Sequence, residues 1–135
     1  MGITIEQVSS SIRGEKILDD VSLHVEDGDF ATLLGATGAG KTELLRIVAG
    51  IDRPDSGTVL FDGEDVTRWP AQRRNVAFVY QQFINYPSLT IFENIASPLR
   101  VAKPAIGKSE IIKRVEETAE LLGLSAVLKL SLIHI

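Results

Sequence analysis

Gly35-Ala36-Thr37-Gly38-Ala39-Gly40-Lys41-Thr42 constrains this chain more than any other stretch, because it fits the pattern G-x-x-x-x-G-K-[ST]. Glycines let a backbone curl until successive N–H groups point inward at an anion. A helix that begins directly afterwards aims its positive end at the same place, worth about 0.3–2 kcal/mol per favourable charge. In such a loop the Lys41 ammonium reaches the β- and γ-phosphates of a nucleotide, and the Thr42 hydroxyl ligates Mg²⁺. At average residue usage the pattern arises by chance in about 0.5% of chains this long. The flanks agree with it. "FATLL" at residues 30–34 predicts a short buried strand, while Leu44, Leu45, Val48 and Ala49 make one apolar helical face. The expected fold class is α/β, with a nucleotide phosphate as the ligand.

The other elements follow from local signals. Residues 3–8 and 17–25 alternate like strands, and "TVLFDGEDV" predicts two short strands around an Asp62-Gly63 turn. "NVAFVY" at residues 75–80 is a second candidate for a buried strand. Gly50 should stop the helix over residues 41–49. Thr90 with Glu93 three residues on predicts a capping box. Ser109 is expected to cap a last helix whose face is Ile111, Val115, Ala119 and Leu122, ending at Gly123.

Composition removes several classes of function. A chain of 135 residues is expected to form one domain with a sizeable core. It has no cysteine, so disulfides and cysteine-ligated zinc are excluded. A net charge of −4 without a basic patch predicts no nucleic-acid partner. "MGITIEQVSS" has neither the basic start nor the apolar run of a signal peptide. No stretch approaches the roughly 18 apolar residues of a membrane span. Any membrane role is therefore expected to run through a partner.

Base-reading motifs narrow the nucleotide class. Asn75, Asn85 and Asn94 are followed by Val, Tyr and Ile, so N-K-x-D is absent, and no aspartate stands three residues before a glycine. That argues against a GTPase. A small-molecule kinase, whose motifs are looser, stays open on these residues alone.

The wider pattern is more specific. Over residues 3–128 the chain resembles the ATP-binding subunit of ABC transporters, through "LDDVSLHVEDGDFATLLGATGAGKTELLRIVAGIDRPDSGTVLFDGEDV" and then "RRNVAFVYQQFINYPSLTIFENIASPLR". The second stretch is similar to importers of sugars, glycerol and glycerol phosphate. The resemblance implies a P-loop NTPase fold: an antiparallel β subdomain plus an incomplete RecA-like core. Residues 1–128 would be a partial nucleotide-binding domain, and residues 129–135 an atypical tail. ATP and Mg²⁺ are the implied cofactors, and ATP-driven uptake of a sugar or polyol is the implied activity. The implied location is cytoplasmic, peripheral at the inner face of the membrane.

Within "VYQQF", Gln81 matches the family's Q-loop glutamine, with Gln82 as the neighbouring possibility. Its amide can ligate Mg²⁺ together with Thr42 and orient water without fixing a charge. The family also implies that residues 83–94 meet the transmembrane permease subunits. Phe83, Ile84, Tyr86, Leu89 and Phe92 would be the anchors there. For Phe83, Ile84 and Tyr86 the interface is the favoured role, whereas Phe92 and Ile95 are expected to pack internally. A second nucleotide-binding subunit is implied as a partner, with a periplasmic or lipid-anchored solute-binding protein engaged indirectly.

Departures from the family are as informative. An aromatic residue usually stacks on adenine where Ile12 stands, and such stacking contributes about 1–3 kcal/mol in nucleic-acid cases. Ile12 is thus a poorer adenine contact. The family's LSGGQ signature, its Asp-Glu strand end (Walker B) and its switch histidine have no counterpart here. Asp65 is the last aspartate in the sequence, and Asp62-Gly63 lies too early to serve. His24 is expected on an exposed strand face, and His134 has nothing before it to act with. Losing one electrostatic contributor of this kind can cost about 10³–10⁵ in rate. A missing neighbouring strand would also leave the strand before the phosphate loop with an unpaired apolar edge. The expectation is therefore a truncated or frameshifted product, diverging near Leu130, that at most binds nucleotide. A stand-alone non-hydrolysing module and a non-functional fragment are the alternatives.

Overall fold

The structure is a computed structural model and describes residues 1–82, 84–131 and 133. It divides into two compact units, Met1–Val79 and Tyr80–Ile135.

The first unit is built on a four-stranded antiparallel sheet in the order β2-β1-β3-β4. Its strands are β1 (Ile3–Ile12), β2 (Glu15–Val25), β3 (Ser56–Phe61) and β4 (Glu64–Asp65). Strand β1 changes face midway. Ile3 and Ile5 point inward at odd positions, whereas Val8 and Ser10 point inward at even ones. The switch occurs at a bulge, where Gln7 has φ 49° and the pairing register with β2 shifts between Ile5 and Val8. One extra residue resets the period-two alternation, which a regular strand cannot do. Ser22 Oγ accepts from the Gln7 N–H at 2.9 Å, and Ser9 Oγ from the Asp20 N–H at 3.0 Å, so displaced main-chain donors find partners.

Helix α1 (Lys41–Ala49) contributes Leu44 and Ile47 to the core formed with Ile5, Val8, Leu18, Val59, Phe61 and Val66. A four-residue helix, α2 (Ala71–Arg74), follows β4. The Asp62-Gly63 turn expected from sequence does join β3 to β4.

Two sequence expectations fail in this unit. Residues 30–34 and 75–80 are not strands. Phe30, Leu34 and Val79 are 96%, 86% and 94% exposed. An apolar run becomes a buried strand only when a neighbouring strand takes up its N–H and C=O groups. No ladder among the described residues includes either segment.

The second unit holds α3 (Ile91–Arg100), α4 (Lys108–Leu121) and a 3₁₀ turn (Ser125–Val127). Ile91, Ala96, Val115 and Ala119 are its buried apolar residues. The capping box is present. Glu93 N–H donates to Thr90 Oγ1 at 3.1 Å, and Thr90 N–H to Glu93 Oε2 at 2.9 Å. The remaining first-turn donors are served from further along the chain: Ile91 N–H reaches Leu130 O, and Phe92 N–H reaches Leu128 O, both at 2.9 Å. Leu130, in the segment expected as an atypical tail, thus helps to cap α3.

Ser109 is not the cap of α4. Gly107 holds that position, and its carbonyl already accepts from Ile111 N–H at 3.0 Å. Ser109 lies two residues past the cap, too deep for its hydroxyl to serve. Val115 and Ala119 are buried as expected and Ile111 partly so, but Leu122 is exposed. Gly123, at φ 68°, ends the helix as expected, with its N–H on Glu120 O. No helix of the described residues is long and apolar enough to cross a membrane.

Candidate nucleotide-phosphate site

The loop of residues 35–42 curls tightly in front of α1. Gly38 and Gly40 have φ 84° and 80°, and Ala39 N–H closes a turn onto Ala36 O at 3.2 Å. Gly40 is required twice over. Its φ is left-handed, and a Cβ there would lie 2.8 Å from Leu18 Cδ2 and 3.0 Å from Ile17 O. The loop is thereby pressed against β2 at the point where α1 begins. Gly40 O accepts the first helical bond, from Leu44 N–H at 2.9 Å.

Lys41 opens the helix and turns back over the loop, donating to Gly35 O at 2.7 Å and Ala36 O at 2.6 Å. The ammonium is therefore held over the loop on its own carbonyls. Thr42 is exposed on the same first turn. Positive-φ glycines, a helix N-terminus and a lysine centred on the loop fit the phosphate chain of a nucleotide. Among the described residues no group of three or more His, Asp or Glu side chains is placed to hold a metal ion. The Thr42 hydroxyl is the ligand chemistry that the motif itself offers to Mg²⁺.

Glu43, which drew no attention in the sequence, puts a carboxylate on the first turn of α1. Ser10 Oγ, buried on β1, donates to its Oε1 at 3.1 Å. This joins the end of β1 to the phosphate helix. Ile12, the doubtful adenine contact, lies two residues beyond Ser10, ends β1 opposite Glu15 and is 47% exposed.

The far end of α1 is held as firmly. Gly50, at φ 75°, is its C-cap. Arg46 donates to Asp52 through Nε at 2.5 Å and Nη2 at 3.0 Å. That hydrogen bond holds the Asp52 carboxyl below the usual carboxylate range. The Arg74 guanidinium, 3% exposed, donates to the carbonyls of Ile47 and Val48 on the same helix end.

A family model described as "ABC transporter" matches residues 18–133. The chain belongs to the ABC transporter family. Its relatives include the spermidine/putrescine import ATP-binding protein PotA of Protochlamydia amoebophila, 45% identical over 116 residues, covering 86% of this chain and 31% of that protein. The molybdate/tungstate import ATP-binding protein WtpC of Thermococcus kodakarensis is 42% identical over 129 residues, covering 96% and 38%. The sulfate/thiosulfate import ATP-binding protein CysA of Pseudomonas aeruginosa is 41% identical over 127 residues, covering 92% and 38%. This chain thus spans about a third of the length of the curated relatives it matches. Among solved structures, the ATP-binding cassette MJ0796, a dimer in a post-hydrolysis state with ADP and Pi, aligns with a TM-score of 0.84 at 25% identity. That alignment covers 98% of this chain and 62% of the other. The likeness is one of overall fold: a P-loop ATPase of the ABC type, of which this chain carries an N-terminal part.

For an ABC chain, the remaining site residues are placed as follows. Gln81 and Gln82 are exposed and belong to the unit that starts at Tyr80, whereas Thr42 belongs to the other. Phe83 and His134 lie outside the described residues. Ile84 and Tyr86 are exposed, as an interface role requires, while Phe92 and Ile95 are partly buried. The loop before α3 hangs on one side chain. Asn94 Oδ1 accepts from Tyr86 N–H at 2.8 Å, and its Nδ2 donates to Tyr86 O, Leu89 O and Thr90 O at 3.0, 3.3 and 3.0 Å. Asn94 and Arg74 were both missed as organising residues, because each acts on main chain that is distant or irregular in sequence.

Proposed function

We propose that this chain is the nucleotide-binding part of an ABC import ATPase and takes MgATP at residues 35–42. The observation that carries this is the loop itself: Gly38 and Gly40 with positive φ, Lys41 folded over Gly35 and Ala36, and α1 starting behind them. Loop N–H groups and the α1 N-terminus hold the phosphate oxygens, and Lys41 exchanges the carbonyls of Gly35 and Ala36 for the β- and γ-phosphates. Thr42 would hold Mg²⁺, which when bound would neutralise charge on the phosphates. Ile12 offers the base only apolar contact, so Ile12→Tyr should tighten ATP binding.

In the longer protein, the phosphate loop of one subunit would face the signature of a second, and hydrolysis would drive solute import through membrane permease subunits. Those subunits would meet residues 83–94 at the cytoplasmic face, where Ile84 and Tyr86 are exposed. A solute-binding protein would deliver the solute from outside. Relatives at 41–45% identity carry polyamine, molybdate or sulfate names. Sugars and polyols, the solutes that the motif resemblance over residues 73–100 implies, are to be assayed in transport beside them.

Calorimetric titration of the 135-residue chain with ATP and Mg²⁺ tests the site. We expect saturable binding that Lys41→Ala abolishes. Phosphate release should not exceed that of the Lys41→Ala variant, since no aspartate follows Asp65 to serve Mg²⁺ or the attacking water. Equal binding by the two proteins would overturn the assignment.

A further inference from the structure

Arg74 is a buried cation whose hydrogen bonds go to four main-chain carbonyls. Its Nε donates to Trp69 O at 3.0 Å, its Nη2 to Thr67 O at 3.0 Å, and its Nη1 to Ile47 O and Val48 O at 2.8 Å each. A buried charge needs compensation, and here the negative end of α1 supplies it. The last turn of a helix leaves carbonyls without helical partners. At α1 three of these are used: Arg46 O accepts from Ile51 N–H and Asp52 N–H, Ile47 O from Gly50 N–H and Arg74, Val48 O from Arg74.

Gly50 makes this possible. A Cβ at that position would lie 2.5 Å from Arg74 Nε, so the residue that ends α1 also leaves room for the guanidinium. Arg74 is itself fixed by its neighbours. Arg73 stacks over the Trp69 ring at 4.7 Å, and Trp69 N–H closes a turn onto Val66 O at 2.8 Å. The helix is therefore mounted at two points: Ser10–Glu43 and the Gly40 contact at the front, Arg74 at the rear.

We propose that Arg74 is a positioning residue for phosphate binding, clamping the C-terminal carbonyls of α1 to the turn at residues 67–69. A helix of nine residues is a short rod, about 13 Å long at 1.5 Å per residue. Loosening its rear lets the axis tilt, and the donors at Lys41 and Thr42 tilt with it. Sites of this kind lose function when their supports allow displacements of about 1 Å. The role rests on the reading of residues 35–42 as a nucleotide-phosphate site.

The test compares Arg74→Met, Arg74→Lys and a core control, Val8→Ala, each measured equally far below its own melting temperature. Two readouts are taken: the Kd for MgATP, and amide exchange without nucleotide at residues 44–47, whose N–H groups bond back onto the first turn of α1. Arg74→Met should weaken MgATP about tenfold and speed exchange at residues 44–47 by a similar factor. Arg74→Lys, which keeps the cation, should recover part of both, and Val8→Ala should stay within about twofold. If Arg74→Met matches Val8→Ala in both readouts, the role is overturned. Should Arg74→Met not fold, Arg74→Lys must show both effects in smaller measure, or the role is equally overturned. Should the unsubstituted chain bind MgATP no better than Lys41→Ala, the nucleotide reading fails, and amide exchange alone then decides whether Arg74 holds the front of α1.

Discussion

Glu43 sits where two effects of opposite sign meet. A carboxylate on the first turn of α1 favours the helix dipole, by about 0.3–1 kcal/mol at an exposed position. The same charge stands on the turn that receives an anionic nucleotide. Ser10 holds it in place at 3.1 Å, so it cannot swing far to avoid the phosphates. Glu43→Gln should therefore lower stability slightly while tightening MgATP by about 1 kcal/mol, or roughly fivefold, with the gain shrinking as salt is added. Titration calorimetry at low and high salt, beside a thermal melt, reads both. Weaker binding by Glu43→Gln would mean that the carboxylate helps the nucleotide to bind. Gly50 and Arg74 show why such pairings escape a reading of sequence. Gly50 was legible as a helix stop because that role is local. Its second role, leaving space for a guanidinium 24 positions later, exists only once the chain has folded, and nothing distinguishes Arg74 from Arg73 beforehand.

Among the elements, α3 has the most local code, and its capping box was legible for that reason. Hydrogen bonds from Thr90, first from its main-chain N–H and then from its hydroxyl, hold the Glu93 carboxyl below its ordinary value. A carboxyl whose folded pKa is depressed stabilises the fold above the unfolded value, and that contribution is lost as pH falls through the folded one. Acidification below the ordinary glutamate range should thus destabilise the second unit. Glu93→Gln keeps an acceptor for Thr90 N–H but cannot titrate, so its melting temperature should fall less between about pH 5 and pH 3. Parallel acid-limb slopes for the two proteins would remove Glu93 from the account. Asn94 acts on the same element's approach. Asn94→Ala frees Tyr86 N–H and three carbonyls to water, an expected loss of about 1 kcal/mol because the loop is exposed. Proteolysis at residues 84–89 should quicken while MgATP binding by the chain is unchanged. The strands expected at residues 30–34 and 75–80 were illegible for the opposite reason. Capping boxes and hairpin turns are completed within a few residues, but a strand is completed only by its neighbour.

For the whole molecule, the exposed apolar side chains of those segments set how the chain behaves in solution. Phe30, Leu34 and Val79 are almost fully exposed, and large apolar side chains left on the surface favour association. Against this stands a net charge of −4, a weak repulsion that moderate salt will screen. The 135-residue chain should therefore self-associate, more strongly as salt rises. None of the three apolar residues belongs to the phosphate loop, so polar replacements can separate solubility from binding. A Phe30→Ser, Leu34→Ser, Val79→Ser variant should stay monomeric at concentrations where the unsubstituted chain does not, by light scattering across a salt series. Its MgATP affinity should match that of the unsubstituted chain measured at high dilution. If the triple variant associates as readily as its parent, another surface drives association, and Ile84 and Tyr86 ahead of α3 become the next residues to replace. If it becomes monomeric but loses MgATP, residues 30–34 support the phosphate loop even without forming a strand.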